Sequence, residues 1–178
     1  MEPASRSGSV TRLNVANIPA LLERHGISCP APHQRDEATV WDLELDGERR
    51  RGVRVTLIHD ARPGGVIVVW AHLAPPLGDG LRKAYRRLLE WNDKYLFAKF
   101  GLAEDGRPIL SLELRAETAT EGDLIEAVAR AVLIADRLLD ETAAWIWIGG
   151  RVPADDGAPR RNRELLTAYP ELADRLEG

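Results

Sequence analysis

Three strand-length apolar segments fall between Trp41 and Leu73 with only short connections between them, and that arrangement admits few folds. Trp41, Leu43 and Leu45 alternate with Asp42, Glu44 and Asp46, which predicts a half-buried strand with one wet face, stopping near Gly47. Val53, Val55 and Leu57 alternate with Arg54 and Thr56 in a second strand. Val66 to Leu73 is apolar at nearly every position, the pattern of a strand covered on both faces. Pro63-Gly64-Gly65 supplies the turn before it. Pairing Asp60 with Gly65 across that turn places Val53, Val55 and Leu57 on one face with Val66, Val68 and Trp70. The opposite face then carries Arg54, Thr56 and Ile58 with Ile67, Val69, Ala71 and Leu73, a set too apolar to stand in water without cost. A second subunit, a client segment or the chain's own C-terminal extension is expected to cover it.

Helical periods flank these strands. Val15, Ile18, Leu21 and Leu22 precede Gly26, a candidate left-handed cap, and predict a helix over residues 14–25, with a loop over 28–35. Asp79 can cap a helix from about Gly80 to Asn92 that turns Leu81, Ala84, Tyr85, Leu88 and Trp91 inward. Phe97 to Leu114 reads as a hairpin. A three-residue loop, Glu104-Asp105-Gly106 with the glycine left-handed, sets Phe100 opposite Leu110 and gathers Phe100, Leu102, Leu110, Leu112 and Leu114 on one face. A two-residue turn would bring Ser111 and Glu113 onto that face instead. Thr120 and Asp123 form a capping box that opens one long helix toward Trp147, ended by Gly149-Gly150. Beyond a linker over 153–159, residues 161–176 form a short helix broken near Pro170.

The element order α-β-β-β-α-β-β-α predicts an α+β fold: an antiparallel sheet of about five strands with helices mainly on one face, plus a C-terminal extension. Residues 1–12 are expected to be a flexible lead, 13–150 the domain, and 151–178 a partly helical extension.

The chain's 178 residues suffice for one core. A net charge of −4 gives no global positive field, which argues against nucleic acid and anionic membranes as partners. Cys29 stands alone, so no intrachain disulfide or multi-thiolate zinc site can form, which suits a reducing cytoplasm. Met1 to Arg12 carries no apolar run of the signal-peptide kind, and no stretch reaches the ~18 apolar residues of a membrane span. A cytoplasmic location is expected.

Catalytic machinery is not visible. In the expected register His72 lies opposite Val53, roughly 20 Å from His59, so the two cannot share a metal. His25 ends a helix, and His33 lies in a Pro-rich loop beside Asp36 and Glu37. Ligand pairs at short spacing on one element are missing, as are nucleophile elbows and phosphate-binding glycine loops. The reading is therefore no metal, no cofactor and no enzyme. Arg49-Arg50-Arg51 with Arg54, and Arg160-Arg161 with Arg163, are basic clusters read as solvated turns or contacts to an acidic partner. Trp41, Trp70 and Trp91 fall at inward positions. Trp145 and Trp147 differ by two on a helix, so they cannot both face one way, and one is either a binding surface or covered by the extension.

Within Leu81 to Arg137, the runs Leu88-Leu89-Glu90-Trp91-Asn92, Phe97-Ala98-Lys99-Phe100 and Asp105-Gly106 resemble the YbjN-type family, labelled bacterial sensory transduction regulators. The resemblance implies the fold of class I type III secretion chaperones, which are small, acidic, usually homodimeric proteins that bind extended client segments without ATP. The chain departs from the family in its longer lead and in the extension after Arg151. The expected function is a non-catalytic, chaperone-like protein-binding module or adaptor in a bacterial stress or signalling response, acting as a homodimer on a client protein. Ile58, Ile67, Val69, Leu73, Trp145 and Trp147 are the candidate binding residues. The alternatives are a regulator sensing a small molecule between sheet and helices, and an enzyme with an unrecognised site.

Overall fold

The strands β1 (His33–Arg35), β2 (Ala38–Leu45), β3 (Val53–Asp60), β4 (Val66–His72), β5 (Lys99–Leu102) and β6 (Pro108–Arg115) form one antiparallel sheet in the order β1-β2-β3-β4-β6-β5. The structure is a computed structural model that describes residues 11–78 and 81–175. The lead from Met1 to Val10, the cap expected at Asp79, the side chain of Leu81 and the end of the last helix at Leu176 lie outside the described residues.

The sixth strand is β1, in a segment expected to be a loop. His33, Gln34 and Arg35 pair with Val40, Thr39 and Ala38 across a turn at Asp36-Glu37, where Asp36 takes a left-handed φ of 53°. Aspartate tolerates that conformation better than most residues. All three β1 residues are exposed, so no apolar alternation announces the strand.

The described residues hold six α-helices, in chain order α1 (Ile18–Arg24), α2 (Leu81–Lys94), α3 (Glu121–Arg137), α4 (Leu139–Ile146), α5 (Arg163–Ala168) and α6 (Pro170–Arg175). α3 crosses β3, β4 and β6, with α5 and α6 on its far side, which is why it is buried at almost every position from Leu124 to Asp136. Its capping box forms as predicted, Thr120 Oγ1 accepting from the Asp123 amide at 3.1 Å and Asp123 Oδ2 accepting from the Thr120 amide at 2.8 Å. Thr11 to Leu13 bridge to this same corner, so the chain is tied down from Thr11 rather than from Leu13. The single helix expected from Thr120 toward Trp147 is broken at Leu138. There the Thr142 hydroxyl donates back to the Leu138 carbonyl at 2.9 Å, a contact that bends helices.

The two hairpins divide the expectations. In β5–β6 Phe100 pairs with Leu110, and Gly106 takes a φ of 79° in the three-residue loop, as predicted. In β3–β4 Asp60 pairs with Val66 instead of Gly65, a slip of one residue. The five-residue connection is held by Asp60, whose carboxylate accepts from the Arg62 amide at 3.0 Å, and by the Gly65 carbonyl, which accepts from the Ala116 amide at 2.9 Å. A Cβ on Gly65 would stand 2.8 Å from the Asp60 carbonyl oxygen, so only glycine fits there. The slip exchanges the faces of β4. Ile67, Val69, Ala71 and Leu73 join Val53, Val55 and Leu57 beneath the helices and are fully buried. Three of the candidate binding residues, Ile67, Val69 and Leu73, are thus core.

Two asparagines finish sheet edges. Asn92, at the end of α2, accepts from the Phe100 amide at 2.7 Å and donates to its carbonyl at 3.0 Å, so a side-chain amide stands where a neighbouring strand would pair with β5. Asn162 does the same to Asp46 just beyond β2, at 2.6 and 2.9 Å. Covering an edge with a side chain blocks edge-to-edge association.

Candidate functional site

The exchanged register leaves Arg54, Thr56, Ile58, Val66, Val68, Trp70 and His72 on the sheet face away from the helices. Trp70, expected in the core, is half-buried here. The right-handed twist of a sheet swings diagonal corners toward each other. Here it carries the β1–β2 turn and the β5–β6 turn over this face until Arg35 Nη2 lies 3.3 Å from Glu104 Oε2. The open trough so formed has a volume of about 770 Å³. Ile58, Val66, Val68 and Trp70 line it, together with charged groups of the two turns, and among the described residues strands and their turns alone form its walls.

At one end stand Asp36, Glu37, Asp60 and Arg62. Asp60 binds the Arg62 guanidinium, which lowers its pKa to about 2. At the other end Arg107 donates to Asp105 at 2.6 Å, and a smaller, polar compartment of about 380 Å³ opens among Asp42, Glu44, Arg54, Thr56, His72 and Arg107. His72 and Arg107 belong to both spaces.

His72 is the chemically distinctive group. Its Nε2 lies 3.1 Å from Thr56 Oγ1, and Thr56 Oγ1 lies 2.7 Å from Asp42 Oδ1. A carboxylate can only accept, so the single hydroxyl proton of Thr56 goes to Asp42 and Nε2 of His72 must be the protonated nitrogen. Nδ1 is then a bare acceptor, buried and without a hydrogen-bond partner among the described residues. Burial lowers the His72 pKa, and the nearby Arg107 lowers it further, which keeps the ring neutral.

The basic clusters have a different role from the expected solvated turns. Arg49 pairs with Asp140 on α4, Arg51 with Asp155 and Asp156 of the extension, and Arg161 with Glu44. The buried Asp136 accepts from the Arg49 and Arg50 amides, and Arg50 donates to the His72 carbonyl at 3.1 Å. Burial lowers the Arg50 guanidinium to about 10, partly offset by Asp136. Arg51 and Arg161 therefore clamp the extension against β2 and the β2–β3 loop, Arg49 ties that loop to α4, and Leu165 and Leu172 complete the core. The described residues of the extension lie with the helices, not over the trough.

Of the expected binding residues, Ile58 lies in the trough. Trp145 is half-buried against Trp91, ring centroids 5.5 Å apart, and Trp147 is half-buried at the end of α4. Neither reaches the trough. A second apolar surface was missed: Tyr85, expected inward, is exposed, and with Leu89, Leu96 and Phe97 it makes a stripe along α2 and past its end. Phe97 holds a strained φ of 61° there.

The class is set by this geometry: an α+β protein whose single sheet is covered by helices on one face and forms a charged-rimmed trough on the other. The sequence profile of the YbjN family, described as "putative bacterial sensory transduction regulator", matches residues 14–143, and the chain belongs to that family. The matched span contains the whole sheet and both walls of the trough, and excludes α5 and α6. No curated protein matches the chain. Among the described residues no helix is long and apolar enough to cross a membrane, and no three His, Cys, Asp or Glu side chains are grouped to hold a metal ion.

Proposed function

We propose that this protein is a non-catalytic regulator of the bacterial cytoplasm that works by holding an extended segment of a partner protein in the trough, as a chaperone-like adaptor in a stress or signalling response. The observation that carries this reading is the apolar floor of Ile58, Val66, Val68 and Trp70, which among the described residues no helix and no part of the extension covers. Apolar surface left in a concavity of this size is the usual mark of a binding site. The order of the polar chain supports a binding role over a catalytic one. Nucleophilic catalysis needs a hydroxyl that gives its proton to the imidazole, whereas Thr56 gives its proton to Asp42 and accepts from His72.

Panning a displayed peptide library on the protein tests this directly. Selected peptides should shift the backbone amide resonances of β3 and β4, and Val68→Asp should abolish binding while leaving the fold intact. Peptides that map to α2, or that bind the Val68→Asp variant equally well, would overturn it. A small-molecule sensor at the same site is a second reading, favoured by the trough volume. A metabolite library that raises the melting temperature of wild type but not of His72→Gln would establish that one instead.

The α2 stripe supports self-association. Arg82, Lys83, Arg86 and Arg87 occupy the first half of α2 and Glu90, Asp93 and Lys94 the second, so two copies meeting antiparallel about a two-fold axis set the strongly basic half of each helix beside the more acidic half of the other around Tyr85 and Leu89. Sedimentation equilibrium should give twice the 19.7 kDa chain mass, and Leu89→Glu should return it to one. A single-chain mass at all concentrations would rule the homodimer out.

A further inference from the structure

The larger trough is lined by five carboxylates and three guanidinium groups, and the smaller compartment adds two and one, so the site carries a net charge of −3 in a chain of −4. Most of these charges are already answered inside the protein. Arg35 pairs with Glu104, Arg62 with Asp60, Arg107 with Asp105, and Glu44 with Arg161. Asp42 holds the Thr56 hydroxyl and lies 3.8 Å from His33. The groups with neither a hydrogen bond nor an ion pair from another described side chain are Asp36 and Glu37 at the β1–β2 turn and Arg54 at the opposite end. Asp60 neighbours that turn, and Arg54 lies six residues back along β3, so the two ends are about 20 Å apart. Between them lies the apolar floor of Ile58, Val66, Val68 and Trp70.

We propose, on the reading that the trough takes a partner segment, that this segment is basic and apolar: a lysine or arginine set against Asp36 and Glu37, and apolar residues over Val68 and Trp70. The distribution of unanswered groups fixes the chemistry and the direction. A carboxylate entering at the β1–β2 end would meet two like charges, and a cation at the far end would meet Arg54. The segment therefore lies along β4 with its cation toward Val66.

Isothermal titration with short, end-blocked peptides tests this. All share a Val-Leu-Val centre and are flanked by lysines on the N-terminal side, on the C-terminal side, or on both, or by glutamates in the same positions. Lysine peptides should bind about tenfold tighter than their glutamate counterparts, as a few rim charges imply. That advantage should shrink in high salt and vanish in the Asp36→Asn, Glu37→Gln double variant, both sites being exposed turn positions. Equal or tighter binding of the glutamate peptides would overturn the charge assignment while leaving segment binding in place. Lysine peptides that bind the Val68→Asp variant undiminished would overturn the location. Failure of every peptide, whatever its charge, would remove the underlying reading as well.

Discussion

β3 and β4 present two faces made from alternate residues of the same two strands, and the two faces have opposite fates. Val53, Val55, Leu57, Val69 and Ala71 lie at 0% exposure beneath α3, each touching apolar neighbours on every side. Thr56, Ile58, Val66, Val68, Trp70 and His72, one residue out of phase, are half-buried, and among the described residues only the curl of the sheet and its turns shelters them. Composition does not separate them, since both faces of β4 are largely apolar. The separation comes from what is laid over each face. A helix fills the pleats and excludes water. Two turns joined by one exposed ion pair leave a hollow.

The sharpest test of that contrast substitutes adjacent residues. Val69→Asp puts a carboxylate into the core with no partner and should cost about 4 kcal/mol or more, enough to unfold many domains. Val68→Asp puts the same group in the trough and should cost under about 1 kcal/mol. Chemical denaturation of the two variants checks this, and similar losses would mean that the β3–β4 register is wrong. A second pair extends the comparison to the sheet edge. Phe100→Ala removes a ring packed against Trp91 and Tyr95 and should cost about 3 to 5 kcal/mol, against under about 1 for the exposed Lys99→Ala. Somewhat smaller is Asn92→Ala, which strips the partners from the Phe100 amide and carbonyl and should cost about 1 to 3 kcal/mol in the same melts. It should also expose the β5 edge, so its aggregation on storage should exceed that of wild type.

The hairpins show why part of this was legible in the sequence and part was not. At β5–β6 the loop chemistry of Glu104-Asp105-Gly106 and the alternation of Leu110, Leu112 and Leu114 agree on one register, because a slip would bury Ser111 and Glu113 on the apolar side. At β3–β4 the turn Pro63-Gly64-Gly65 fits either loop length, and β4 is apolar on both faces, so the hydrophobic pattern does not penalise a slip. One signal was present. His72 shares its parity with Val66, Val68 and Trp70, and an imidazole sits better beside Arg54 and Thr56 than against Val53. The capping box and the α+β order were equally legible, each being set by residues a few positions apart. The Asn92 run was recognisable as a motif, but its role was not, because the asparagine acts on backbone groups of another element. The trough depends on the twist of the whole sheet, which brings Arg35 to Glu104 across 69 positions of sequence. No local pattern carries that. β1 and the clamp of Arg51 on Asp155 were invisible for the same reason: exposed polar residues gain their meaning only from a distant partner.

The smallest expected effect separates the two faces by titration. On β3 and β4 the covered face carries one ionisable side chain, His59, at the strand end opposite Ile67, whereas the open face holds His72, with Asp42 and Arg54 beside it on β2 and β3 and with Asp105 and Arg107 above it from the β5–β6 turn. Burial lowers the His72 pKa below its usual 6.5, so folding opposes its protonation. Above that value the ring is neutral in both the folded and unfolded chain and contributes no pH dependence. As the pH falls below it, the unfolded chain binds a proton that the folded chain resists, and stability must decline until the folded ring itself titrates. His72→Gln keeps a donor toward Thr56 but has nothing to titrate, so its stability should fall less than that of wild type between pH 7 and pH 5. Urea melts across that interval measure the difference. Identical slopes for the two proteins would mean that water reaches the ring freely and that the trough does not shelter it.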